Sequence, residues 1–114
     1  MRETFLWLLF AHYLFDFSLQ TQFMSEWKQK SHYVMFVHVV IWTGGICLAM
    51  RLLSIPIQRE IVIMLFAVHY LVDWAKCEAI KSGKLTPKGI RNLFLSDQII
   101  HVMQLIAVLG SIPQ

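Results

Sequence analysis

Four long apolar stretches separated by short polar connections make up nearly the whole chain. They cover about residues 4–24, 33–53, 60–80 and 90–112, opening at Thr4, Tyr33, Glu60 and Ile90. The connections hold the breakers and charges: Ser25 to His32, Ser54 to Arg59 around Pro56, and Lys81 to Gly89 with Gly83 and Pro87. Each stretch reaches the roughly 20 residues that a helix needs to cross a hydrocarbon core. The alternating ten-residue segments of a membrane β-barrel are absent. The pattern predicts an all-α membrane protein, a four-transmembrane-helix bundle forming one domain over residues 1–114. The Met1-Arg2 opening could pass for a secretory leader. No small-x-small cleavage site follows it, and His12, Asp16 and Gln20 interrupt the apolar run, so a retained first span is expected.

Composition agrees with this pattern. The chain is 57% hydrophobic and 15% charged, against roughly 45–50% and about 25% in soluble proteins. A soluble domain of this size buries too small a fraction of its surface to hide that excess. Disorder and a disulfide-stapled scaffold are excluded by the same numbers. Cys47 and Cys77 fall at opposite ends of their spans, roughly 18 Å apart in depth at about 1.5 Å per residue, beyond disulfide reach.

The charges also set an orientation. Lys28, Lys30, Lys76, Lys81, Lys84, Lys88 and Arg91 lie at or beside the first and third connections, and only Arg2, Arg51 and Arg59 lie at the other end. The positive-inside rule then puts those two connections in the cytoplasm and both the N and C termini outside, in a multi-pass bacterial inner membrane protein. The net charge of +3 reads as anchoring to anionic membrane lipid, and no basic-aromatic stripe points to nucleic acid.

A repeat divides the chain. Residues 12–17 read His-Tyr-Leu-Phe-Asp-Phe and residues 69–74 read His-Tyr-Leu-Val-Asp-Trp, an offset of 57 residues. The two copies fall on spans running in the same direction. This predicts two helical hairpins related by a pseudo-two-fold axis along the membrane normal.

Ionisable side chains within spans cost roughly 2.5–3.5 kcal/mol each on insertion scales, so each needs a reason. Span one carries His12, Asp16 and Gln20 on one helical face, and span two carries His38. His69, Asp73 and Lys76 share a face of span three. In span four, Asp97, His101 and Gln104 share a face, with Gln98 beside them. Counted from the cytoplasmic ends, Asp16, Asp73, Asp97 and His38 lie at one depth. His12, His69 and His101 form a second layer roughly 6 Å farther in.

Imidazoles and carboxylates at matched depth suit a divalent metal, zinc or manganese, with carboxylates able to bridge two ions. His12, Asp16, His69, Asp73, Asp97 and His101 are the expected ligands. His38 is a further ligand or a general base, and Gln20 and Gln98 orient the ligands. Lys76, a turn from the cytoplasmic edge, either snorkels outward or meets a substrate head group. Metal-dependent hydrolysis of a lipid-linked or phosphate-containing substrate is the leading function. The same residues could instead relay protons in a channel or transporter subunit, or build a structural network in a holin-like membrane protein, and homo-oligomers are compatible with so small a bundle. Trp7, Trp27, Trp42 and Trp74 read as lipid or interface aromatics. Gly44-Gly45 reads as a close-packing site.

The string Ala-His-Tyr-Leu-Phe-Asp-Phe-Ser-Leu-Gln-Thr-Gln at 11–22 with Lys28, His38, the His69-x-x-x-Asp73-Trp74-x-Lys76 motif and Asp97-Gln98-x-x-His101 occur in one order. In that order they resemble the domain-of-unknown-function 3307 family of small bacterial and phage membrane proteins. The resemblance spans essentially the whole chain and implies no reaction. More distantly, helices studded with His and Asp look like inner-membrane metal-dependent hydrolases, which adds weight to the metal reading.

Overall fold

The computed structural model describes residues 2–18 and 20–113 and is helical throughout, with no strand among the described residues. The α-helices are α1 (Arg2–Tyr13), α2 (Gln22–Trp27), α3 (His32–Leu52), α4 (Arg59–Lys81) and α5 (Pro87–Gly110), and a π-helical turn, Leu14–Ser18, extends α1. The first apolar stretch is thus not one helix through Met24. It stops at Ser18 and restarts at Gln22, where the Thr21 hydroxyl caps the new helix by accepting the Met24 amide at 3.1 Å. Ser31 and Thr86 cap α3 and α5 in the same manner, and Pro87 takes the first helical position of α5, where a missing N–H costs nothing. After α3 the chain turns at Ser54 (φ +59°), and the Ile55 amide reaches back to the Met50 carbonyl at 2.8 Å.

Packing closes a ring. α1 lies against α3 and α5, α3 against α4, and α4 against α5, while the short α2 rests on α3. The long dimension is 47 Å, with 27 and 24 Å across. The Lys81 ammonium donates to the Gln29 carbonyl at 2.9 Å, so the first and third connections meet at one end. Lys30, Lys84, Lys88 and Arg91 are exposed there, and Arg51 and Arg59 are exposed in or beside the connection between α3 and α4.

The distribution of polarity is inverted relative to a water-soluble fold. Leu6, Phe10, Phe23, Ile63, Leu71, Ile99 and Met103 each stand 58–60% exposed, while His12, His69 and His101 are 0% exposed. α3 and α5 are long and apolar enough to cross a membrane. α4 is of similar length but carries Asp73, Lys76 and Glu78 within its apolar run. One apolar core, including Leu8, Ile46, Met50, Leu65, Leu105 and Val108, lies toward the Ile55 end. A smaller one of Met35, Val39 and Cys77 lies toward the other.

Candidate metal centre

Helical spacing of four builds the interior as three successive rings. Side chains at i and i+4 lie one above the other, roughly 6 Å apart along the axis. The first ring is Asp16, His38, Asp73 and Asp97. One step on come His12, Trp42, His69 and His101. A further step reaches Leu8, Ile46, Leu65 and Leu105, and all twelve residues are buried. Each position is contributed by α1 or its π turn, α3, α4 and α5 in turn.

The carboxylate ring is heavily paired. His38 Nε2 lies 3.1 Å from Asp73 Oδ2 and 3.4 Å from Asp16 Oδ1. Lys76 Nζ sits 2.8 Å from Asp73 Oδ1 and 3.1 Å from Asp97 Oδ2, bridging α4 to α5. Lys28 Nζ donates to Asp73 Oδ2 at 3.0 Å. The Gln98 amide nitrogen donates to Asp97 Oδ2 at 3.0 Å and to Asp16 Oδ2 at 3.3 Å. Such pairing is what a buried carboxylate requires.

The ring above is aromatic. Trp42 Nε1 can only donate, and it lies 3.0 Å from His12 Nδ1, so that nitrogen is an acceptor and the His12 proton sits on Nε2. Nε2 in turn donates to Gln98 Oε1 at 2.8 Å, which orients the Gln98 amide toward both carboxylates. Both nitrogens of His12 are therefore engaged. His101 is committed likewise, with Nε2 3.0 Å from Asp97 Oδ1 and Nδ1 2.9 Å from Gln104 Oε1. Gln104 is held by its own donation to the Leu65 carbonyl at 3.1 Å. His69 stacks on both Trp42 and His101, with ring centroids 4.1 and 4.0 Å away, and those two rings are 5.8 Å from each other.

His69 differs from its neighbours. Its Nδ1 has no hydrogen-bond partner among the described residues. Its Nε2 faces His38 Nε2 at 3.4 Å, Asp16 Oδ1 at 3.8 Å and Asp73 Oδ2 at 3.9 Å. Two groups could hold a metal ion: His38, His69 and Asp73; and Asp16, His69 and His101. They share His69. Both His101 nitrogens lie within hydrogen-bond distance of Asp97 and Gln104, and the atoms that converge on His69 Nε2 are His38 Nε2, Asp16 Oδ1 and Asp73 Oδ2, the last also accepting from Lys28.

The remaining expected site residues have definite places. Asp97 holds Lys76, His101 and Gln98, not the convergence point. Gln20 falls beyond the π turn, so the four-residue spacing from Asp16 does not continue to it as a helical face, although its Oε1 is buried without a partner among the described residues. Lys76 does not snorkel outward. It is 7% exposed, because two carboxylates on α4 and α5 hold its ammonium inside. Trp42 is not a lipid-facing aromatic, being fully buried where its indole N–H meets His12. Lys28, read above as an orientation charge and as part of the family motif but not as a site residue, is 8% exposed and reaches Asp73 from the connection before α3. The close packing expected of Gly44-Gly45 is found at Gly45, where a Cβ would overlap the Phe15 ring, and not at Gly44, which faces open space.

Residues 4–114 match a family described as a protein of unknown function, DUF3307. The chain belongs to that family. No curated protein and no solved structure matches it. The family assignment covers every residue of the three rings and assigns none of them a reaction.

Proposed function

We propose that this chain is a membrane-embedded metalloprotein of the bacterial inner membrane, holding one divalent ion, zinc or manganese, for hydrolytic chemistry reached from the cytoplasm. α3, α4, α5 and the segment of α1 with its π turn are the four crossings. The inverted polarity supports that reading, since apolar residues such as Leu71 and Ile99 are 60% exposed around a charged interior. So does the 47 Å length, close to the roughly 40–45 Å of a bilayer with its head groups. The basic end, where the first and third connections meet, is cytoplasmic, and both termini lie outside.

The observation that carries the metal reading is the convergence of two imidazole nitrogens and two carboxylate oxygens. Five separations among those four atoms run from 3.1 to 3.9 Å. A tetrahedral zinc site with bonds of 2.0–2.1 Å needs ligand atoms about 3.3 Å apart. Of two Nε2 atoms facing each other at 3.4 Å, at most one carries a proton toward that point, so at least one imidazole lone pair is directed there. Because the candidate groups share His69, the geometry supports one ion, not two. Four protein ligands would fill a tetrahedral shell, so a water would need a fifth position on such an ion; held there, it would have its pKa lowered toward neutrality, which is the chemistry of metal-dependent hydrolysis. His12, Asp97, His101, Gln98 and Trp42 then position the ligands, and His38 is a ligand, not the base.

The alternative of a transmembrane proton relay fits less well. The polar rings end on Leu8, Ile46, Leu65 and Leu105, each 0% exposed, and Met50 and Val108 continue that apolar plug. A relay needs donors and acceptors on both sides, and this interior offers them on one.

Elemental analysis of the full chain purified in mild detergent tests the proposal. One zinc or manganese per chain is expected, retained in His12→Gln and lost in His38→Ala and Asp16→Ala, with helical circular dichroism checking each variant. Wild-type protein that stays metal-free after incubation with zinc and with manganese would overturn it.

A further inference from the structure

A cavity of about 160 Å³ opens beside the carboxylate ring on the basic side, lined by Asp16, Gln20, Ser25, Lys28, Gln29 and Lys76 among others. From this cavity we infer that the centre binds a phosphomonoester group, with Lys28 and Lys76 as the residues that hold it. The inference rests on the metal reading above and names the substrate class of that same site.

Three features of the cavity carry it. Each ammonium has three N–H donors. Lys28 places one on Asp73, and Lys76 reaches Asp73 and Asp97 with its ammonium also 4.8 Å from the Phe94 ring centroid, so two donors on Lys28 and one on Lys76 have no oxygen or nitrogen acceptor among the described residues. The two lysines are only 8% and 7% exposed, so bulk water does not satisfy those donors freely. A tetrahedral oxyanion presents three oxygens to such a set. The buried Gln20 Oε1, unpartnered among the described residues, adds an acceptor for a phosphate hydroxyl or a bridging water.

Charge leads to the same ligand. With the histidines counted as neutral, Asp16, Asp73 and Asp97 against Lys28 and Lys76 leave one negative charge. A bound dication turns that into one positive charge, and any protonated histidine raises it further. An unbalanced buried charge is strongly disfavoured, so the loaded centre favours an anion at its open side. The cavity holds about five waters at ~30 Å³ each. That admits a phosphate group and leaves the rest of the molecule to extend outward, between α2 and the neighbouring ends of α4 and α5.

Equilibrium dialysis with labelled inorganic phosphate tests this on the full chain in detergent, zinc-loaded and chelator-stripped, with zinc content measured in parallel. One phosphate per zinc-loaded chain is expected, weakened at least tenfold by stripping. Lys28→Gln should show the same tenfold loss at unchanged zinc content, and Lys28→Arg should retain binding. Competition by mixed micelles of phosphatidic acid, but not of phosphatidylcholine, would assign the group to a lipid head. Competition by glycerol phosphate alone would assign it to a soluble ester. One zinc per chain without phosphate binding, or binding equal in the stripped protein or in Lys28→Gln, overturns the inference and leaves the metal reading standing. A wild type that takes up neither zinc nor manganese removes both.

Discussion

Replacing Lys76 with Met separates a paired interior from a set of independent surface charges. Its ammonium lies 2.8 Å from Asp73 Oδ1 and 3.1 Å from Asp97 Oδ2, and the three side chains are 9%, 2% and 1% exposed. Lys81, on the same helix, offers an internal reference. It pairs with Glu78 at an identical 2.8 Å, but those side chains are 42% and 47% exposed. Distance is matched and burial differs. An exposed pair contributes about 0–1 kcal/mol, because solvent already screens both charges. Removing one partner of a buried pair costs about 3–5 kcal/mol, because the remaining charge is stranded. Met preserves most of the apolar stem, so the loss is electrostatic. Reversible denaturation of the detergent-solubilised chain, followed by circular dichroism, should therefore show Lys76→Met destabilised by about 3–5 kcal/mol and Lys81→Met by less than ~1 kcal/mol. Adding Asp97→Asn to Lys76→Met should recover part of the loss, since it neutralises one of the two carboxylates stripped of the ammonium, while Asp73 keeps Lys28 and His38 as partners. Equal effects of the two lysine substitutions, or no recovery in the double variant, would refute the claim that burial of Lys76 sets its contribution.

Two more perturbations test the positioning of the rings. Trp42→Phe strands the buried Nδ1 of His12, which loses its 3.0 Å donor, and should destabilise the fold by about 2–4 kcal/mol from the unpaired acceptor and the residual void. Trp27→Phe, at a position 44% exposed, should move the same unfolding midpoint little, and a silent Trp42→Phe would return that residue to the lipid face. Gly45→Ala pushes a methyl into the Phe15 ring beside the π turn that bears Asp16, so it should cost about 1–3 kcal/mol and weaken zinc binding. Gly44→Ala, facing open space, should stay within about 0.5 kcal/mol of wild type in the same titration, and identical behaviour of the two variants would discount the Phe15 contact.

Helices and interior carboxylates were legible in the sequence for a common reason. In a chain this apolar, helical character follows from the length and composition of the runs, and a His or Asp inside a run marks the inward face because nothing else tolerates it. His12, Asp16, His38, His69, Asp73, Asp97 and His101 are accordingly all buried together. The same logic fails for residues whose side chains suit either environment. Trp42 has an apolar body and one N–H, so neither lipid nor core is favoured by its identity alone. It stands four residues from His38, the spacing that relates His12 to Asp16 and His69 to Asp73, and that spacing was the signal that could have found it. Lys28 was hidden by a different ambiguity. A lysine in a connection reads as orientation charge, and only the tertiary placement of α2 before α3 brings its stem to Asp73.

The break after Ser18 shows where periodicity stops being a guide. Continued α-helical spacing would put Gln20 one turn below Asp16, but the chain instead widens into a π turn and restarts under the Thr21 cap. A π turn inserts an extra residue into the helical ladder and is frequent at functional sites. Here it carries Asp16, whose two oxygens face His38 and Gln98 from opposite sides of the ring. The close seat of Phe15 on Gly45 fixes that turn against α3. On the proposed membrane reading, irregular backbone is tolerated only where protein or a polar cavity covers it, and this turn borders the cavity lined by Asp16, Gln20 and Lys28. The departure from regular helix and the opening of the polar interior thus occur at the same place. One π-helical turn gives the buried carboxylate both its aim and its access.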